Sequence, residues 1–125
     1  MPDRYESYLL IAAGGFAGAC ARYLVNGAIP GIVGILVINV AGCYLLGVLM
    51  YESIFIGAFS ARARILCGAG FIGAFTTFST FSLLTFEAAP LFAALNVIGS
   101  LALGLAAVYL GRATVLSIGG KAWKR

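Results

Sequence analysis

The chain has 125 residues, 62% of them hydrophobic and 10% charged, with a mean hydropathy of +1.07, far more apolar than a soluble domain of this size. That composition excludes a water-soluble fold. The chain has no histidine and no close carboxylate pair, so the usual acid/base and metal constellations are missing; no enzyme is expected and no catalytic residue is assigned. The net charge of +4 reflects eight basic against four acidic residues, and the placement of these charges says more than their sum.

Four apolar segments stand between charged or turn-forming sites, at 8–27, 31–51, 65–86 and 91–110. Each is near the roughly 20 residues that a helix needs to cross a hydrocarbon core about 30 Å thick. No segment alternates in polarity as a porin strand would. The expected fold is an all-α membrane protein with four transmembrane helices in one domain over 1–125, with no room for a separate soluble domain. The amino-terminal M-P-D-R-Y-E-S precedes an apolar run too long for a cleavable signal and without a small-residue cleavage pattern, so it is expected to stay attached.

The first segment contains G-G-F-A-G-A-C-A-R-Y, in which Gly14, Gly18 and Arg22 recur every fourth residue, with Gly15 and Ala19 on the adjoining row. Small residues at this spacing let two helices approach closely. Arg22 has two readings: a functional cation within the membrane, or a side chain that snorkels to the interface from the last turns of its helix. The second segment follows a tight connection at Asn26, Gly27, Pro30 and Gly31 and carries Asn39 near its middle, with Gly42 and Gly47 as further close-packing positions. An amide there can donate to an anion or bond to a neighbouring helix. Residues 52–64 read as a loop with an interfacial apolar stretch.

The third segment is the least like a plain anchor. Between Gly70 and Glu87, Thr76, Thr77, Ser79, Thr80 and Ser82 place five hydroxyls in seven residues, interleaved with Phe75, Phe78 and Phe81. Polar or irregular backbone at membrane depth is tolerated only where protein or a polar cavity surrounds it, so this segment is expected to line a polar path. Asn96 and Ser100 share one face of the fourth segment, which opens after Pro90, and either extend that path or bond to other helices. Tyr109 and Trp123 suit membrane interfaces. Cys20, Cys43 and Cys67 lack the spacing of a metal site or thiol pair and read as small packing residues.

Taken together, the polar inventory is neutral donors plus one cation, with Asp3, Glu6, Glu52 and Glu87 at or beyond segment ends. A cation or proton path would show acids within the crossings; donors with a cation favour an anion. Phe78 and Phe81 either pack as ordinary membrane phenylalanines or meet an anion with their positive ring edges. Seven basic residues, Arg4, Arg62, Arg64, Arg112, Lys121, Lys124 and Arg125, share one side if there are four crossings, and Arg22 alone lies towards the other. By the positive-inside rule both termini are expected in the cytoplasm, and the basic tail is an orientation signal, not a nucleic-acid patch.

The runs G-G-F-A-G-A-C-A-R-Y (14–23), N-V-A-G (39–42) and G-F-I-G-A-F-T-T-F-S-T-F-S (70–82) resemble the signatures of the Fluc fluoride channels, the CrcB family, over essentially the whole chain. The resemblance implies a multi-pass channel of the cell membrane that exports fluoride passively. It implies an antiparallel dimer with two pores lined by both subunits and a third helix that is broken. It further implies a structural sodium ion held at that break by the backbone carbonyls of Gly73 and Thr76. Carried over by position, the fluoride pore would draw on Asn39, Phe78, Ser79, Thr80 and Phe81, with Asn96 and Ser100 on the fourth helix and Arg22 near the entrance or holding the fold. Two positions depart from the family pattern: Leu84 stands where many relatives have an acid, leaving Glu87 a turn later, and Ile35 stands where many have threonine. The seven-to-one charge bias suggests a subunit of fixed orientation, so the partner is either a second copy or a paralogue inserted the other way. A small multidrug exporter, also a four-helix antiparallel dimer, would need a membrane-embedded glutamate in the first segment, which has none. An assembly scaffold would explain the glycine rows but not the hydroxyl and phenylalanine pattern.

Overall fold

The computed structural model describes residues 2–122, with side chains to Gly119; Trp123, Lys124 and Arg125 and the side chain of Lys121 lie outside the described residues. Helix α1 (Arg4–Ala28) starts where the Asp3 carboxylate accepts the amide of Glu6 at 2.7 Å. This is the N-cap pattern that satisfies a first-turn donor. It ends at Ile29 and Pro30, and Gly31 at φ +79° turns the chain into α2 (Gly31–Phe55). That positive φ suits glycine.

Helix α2 closes with an αL-type cap. Gly57 at φ +68° brings its amide back to the Glu52 carbonyl at 2.8 Å. The Glu52 side chain, 6% exposed, then accepts the amides of Ala58 and Phe59 through Oε1 at 2.6 and 2.9 Å. The connection expected over 52–64 is therefore shorter than its composition suggests. Ser53 to Phe55 continue α2, and Ser60 caps the next helix by accepting the amide of Ala63 at 3.2 Å.

The third crossing is one rod, α3 (61–75), made of an α-helical turn Ala61–Arg64, a π-helical stretch Ile65–Ile72 and a last turn Gly73–Phe75. The chain then breaks at 76–78 and resumes as α4 (Ser79–Glu87), so the break that the resemblance implies is present. Helix α5 (Pro90–Ala122) opens with proline in its first turn. Its 33 residues span about 50 Å, well past a hydrocarbon core of about 30 Å. The helix therefore continues past residue 110, where the apolar segment ends in the sequence. Tyr109 is exposed roughly one core thickness along from Pro90, as an interfacial residue should be.

Among the described residues, four helical spans are long and apolar enough to cross a membrane, so the chain is a multi-pass membrane protein. They associate as two pairs along seams of small residues. In the α1–α3 seam, a Cβ added at Gly14 or Gly18 would strike the backbone of Leu66 or Phe71. The glycine-rich π stretch offers its own backbone in return, with the Gly70 site 3.0 Å from Gly14 Cα. In the α2–α5 seam, Gly47 lies against Val108 and Gly111 against Tyr44 and Val48. The seam is fastened by a 3.2 Å hydrogen bond between the Tyr44 and Thr114 hydroxyls and by the Arg112 guanidinium 5.7 Å over the Tyr51 ring. Close backbone approach of this kind is how helices associate where lipid is as apolar as leucine. A small core of Ile35, Ile38 and Phe75 joins the pairs.

Arg4, Arg62, Arg64 and Arg112 fall at one end of the bundle, where Arg62 meets Glu6 through Nε–Oε1 at 2.5 Å. The connections at the other end, 29–30 and 88–89, contain no charge.

Replacing Gly18 with Val should drive methyl groups into the Phe71 carbonyl and cost about 1–3 kcal/mol. Gly99→Ala, which meets nothing within 4 Å, should cost far less. Thermal unfolding midpoints in detergent compare the two; equal midpoints would show that the α1–α3 seam is looser than described.

Candidate functional site

A break in a membrane helix exposes backbone groups that need new partners. In α3 three side chains supply them. Asn39, from the middle of α2, donates Nδ2–H to the Thr77 carbonyl at 3.0 Å and accepts the Thr77 amide through Oδ1 at 2.9 Å. Its amide thus stands in for a peptide group, meeting one donor and one acceptor at once. The Thr77 hydroxyl accepts the amide of Thr80 at 3.3 Å, capping α4. From α1, Arg22 reaches across and donates Nη1–H to the Thr76 carbonyl at 3.1 Å.

These bonds decide which carbonyls lose their helical partners. In an unbroken helix Gly73 C=O would receive the amide of Thr77 and Thr76 C=O that of Thr80. Those amides go to Asn39 Oδ1 and Thr77 Oγ1 instead. Gly73 and Thr76 are therefore two of the positions, with Ala74, Phe75 and Thr77, whose carbonyl oxygens lose their helical amides at the break, and Thr76 C=O has already attracted a cationic side chain. Oxygen ligands of this kind suit a hard cation.

The break opens on a groove of about 640 Å³, lined by Asn39, Thr76, Thr77, Phe78, Phe81 and Ser100 among others. Phe78 is 79% exposed, and its ring centroid lies 5.9 Å from that of Phe81 at an interplanar angle of 34°. Among the described residues, no acidic side chain lines this groove. Asn39 retains one uncommitted N–H after its bond to Thr77. Gly42 is needed at the groove wall, because a Cβ there would collide with the Thr76 methyl group.

The remaining residues expected at the site fall elsewhere. Arg22 and Thr80 face a second pocket of about 290 Å³ with Tyr23, Asn26 and Ile35. The Ser79 hydroxyl is 3.2 Å from that of Thr77 on the exposed side of α4. Asn96 is buried and donates to the Thr85 hydroxyl at 2.7 Å, beside a separate pocket, so it does not line the Phe78/Phe81 groove. Ser100 does line that groove and reaches Asn96 Oδ1 at 3.5 Å. The two departures from the family pattern belong together, for Leu84 packs against the cluster that contains Ile35.

Sequence reasoning placed Thr77 only within the hydroxyl cluster, without a role of its own, and did not name Thr85. Thr77 could have been found as a hydroxyl three residues before the Thr80 amide, the spacing of an N-cap. Nothing local marks Thr85, whose partner stands 11 positions away across a turn.

The family model described as "CrcB-like protein, Camphor Resistance (CrcB)" matches residues 9–112. A "Fluoride-specific ion channel FluC 1" of Methanospirillum hungatei is 43% identical over 91% of this chain and 81% of its own length. Another FluC 1, of Haloarcula marismortui, is 44% identical over 92% of this chain and 90% of its own. The FluC 2 of Methanosarcina mazei is 40% identical over 96% of both.

Converting Asn39 to Leu would leave the Thr77 N–H and C=O without partners, at a cost of about 1–3 kcal/mol. Amide exchange at Thr77 should accelerate at least about fivefold. Unchanged protection would mean that the break does not rely on the Asn39 amide.

Proposed function

The chain belongs to the CrcB-like family, and on that premise we propose that it forms a fluoride-selective channel that lets fluoride leave the cytoplasm down its gradient, limiting fluoride toxicity. The observation that carries this reading is the broken third crossing, where neutral hydrogen-bond donors, the exposed Phe78 and the half-buried Phe81 face a groove with no acid in its lining among the described residues. The relatives named above are titled fluoride-specific ion channels.

Fluoride is small and strongly hydrated, so taking it from water costs several kcal/mol unless fixed donors replace its hydration shell. The spare N–H of Asn39 and the hydroxyl of Ser100 are donors on the groove wall, and the ring edges of Phe78 and Phe81 are electropositive while keeping the passage dry. A narrow passage with few fixed donors discriminates against the larger chloride. Arg22 and Thr80 line a pocket on the other side of α4, where a cation and a hydroxyl can draw an anion towards the break, with the Ser79 hydroxyl beside that of Thr77.

The groove is open along one side of the single chain, and closing it into a pore needs a second subunit. We assign that role to an antiparallel partner, which would place two grooves at one interface. The same arrangement would bring two sets of Gly73 and Thr76 carbonyls together, four oxygens suited to a structural sodium ion. Sodium would cancel the mutual repulsion of carbonyl dipoles that no helix satisfies.

The grouping of Arg4, Arg62, Arg64 and Arg112 at one end supports a subunit of fixed orientation in the plasma membrane, with both termini cytoplasmic. The partner is then a paralogue with the opposite bias, which agrees with relatives numbered FluC 1 and FluC 2.

Liposomes containing the assembled channel should release fluoride far faster than empty ones. Phe78→Ile or Phe81→Ile should abolish release while the dimer persists on size-exclusion chromatography. Vesicles that hold fluoride as tightly as protein-free ones would sink the reading, and full flux in both variants would reduce the rings to packing. Replacing sodium throughout should impair flux, and indifference to sodium would remove the Gly73 and Thr76 assignment. Expressed alone, the chain should give little flux, restored by the paralogue; an active homodimer would overturn the paired-subunit assignment.

A further inference from the structure

Helix α4 carries one ring of the phenylalanine pair and follows directly on the other, and its apolar contact with the core is made by Phe81 and Leu84, both only partly buried. None of its nine residues, Ser79–Glu87, is buried. At its amino end it is fastened by Thr77, through the Thr80 amide and the Asn39 clamp. One fastening leaves a short helix free to turn about its own axis. Because its side chains extend about 6 Å from the axis, a turn of about 10° displaces a ring by about 1 Å.

A second fastening lies at the other end. The Thr85 hydroxyl donates to the Phe81 carbonyl at 2.6 Å, which leaves its lone pairs to accept Asn96 Nδ2–H at 2.7 Å. Asn96 comes from α5, the long helix fixed to α2 along the glycine seam. The chain of contacts therefore runs from the fixed frame through Asn96 and Thr85 to the backbone of Phe81 itself. Asn96 is 8% exposed and outside the groove lining, so it is badly placed to meet an ion. Its Oδ1 is reached by Ser100 Oγ at 3.5 Å, so the same amide also sets the resting direction of the groove hydroxyl.

We propose that Asn96 and Thr85 are a positioning pair that fixes the rotation of α4, and with it the Phe81 ring, and that neither is an ion ligand. The consequence for conduction rests on the fluoride-channel reading, while the consequence for ring position does not.

The test uses the assembled channel with 4-fluorophenylalanine incorporated at Phe81, read by 19F NMR, alongside single-channel fluoride currents, which count only intact channels. Thr85→Val keeps the shape of the side chain and removes the hydroxyl. It should move the 19F line and lower the unitary current roughly three- to tenfold, the range for losing one interhelical hydrogen bond. Thr85→Ser should restore both. Thr85→Val combined with Asn96→Leu should be no worse than Asn96→Leu alone, as expected for two residues acting through one bond. An unmoved 19F line in Thr85→Val, or losses that add in the double variant, would overturn the pair. A moved line in a protein whose parent carries no fluoride current would keep the pair and remove the pore reading.

Discussion

The structure depends on the satisfaction of backbone groups at one interruption. Residues 76–78 break a helix that otherwise crosses the membrane, and in hydrocarbon each unpaired amide or carbonyl costs several kcal/mol. The Asn39 amide meets Thr77 on both its donor and acceptor sides, the Thr77 hydroxyl takes the Thr80 amide, and Arg22 takes the Thr76 carbonyl. Helices α1 and α2 and the local threonine each contribute one side chain, so the break is a product of tertiary packing. A threonine-rich segment alone would have remained a helix.

Close packing makes that arrangement reachable. Arg22 lies one turn beyond Gly18, whose missing side chain lets α1 touch the backbone of Phe71. Asn39 lies one turn before Gly42, whose missing side chain admits the Thr76 methyl group. In both cases the glycine sets a backbone distance and the polar residue a turn away uses it. The widened turns of the π stretch place Gly70 against the backbone of Ile11 and Gly14 in α1 and Gly68 against Leu49 of α2, and carry the chain to the break.

Polar residues in this fold divide between those that face a groove and those that hold other residues. Ser100 lines the groove beside Phe78 and Phe81, and Arg22 and Thr80 line the smaller pocket on the far side of α4. Asn39 and Thr77 do both, whereas Asn96 bonds to Thr85 outside the Phe78/Phe81 groove. Glu52 belongs to the holding group at the charged end of the bundle, where its carboxylate fixes the loop between α2 and α3. Leu84 of α4 packs against the apolar cluster that contains Ile35.

Much was legible in the chain itself. Hydropathy alone determined four crossings, because burying twenty apolar residues is the only way such segments avoid water. The spacing of Gly14 and Gly18 marked a close helix seam, and the density of hydroxyls between Thr76 and Ser82 marked a segment unfit for plain lipid contact. Tertiary structure decided the rest. Whether Asn39 met an ion or a neighbouring helix, and whether Asn96 shared the site of Ser100, turned on partners 38 and 11 residues away. Local periodicity shows which face of a helix a side chain occupies. It carries no information about which hydrogen-bond partner another helix will bring to that face.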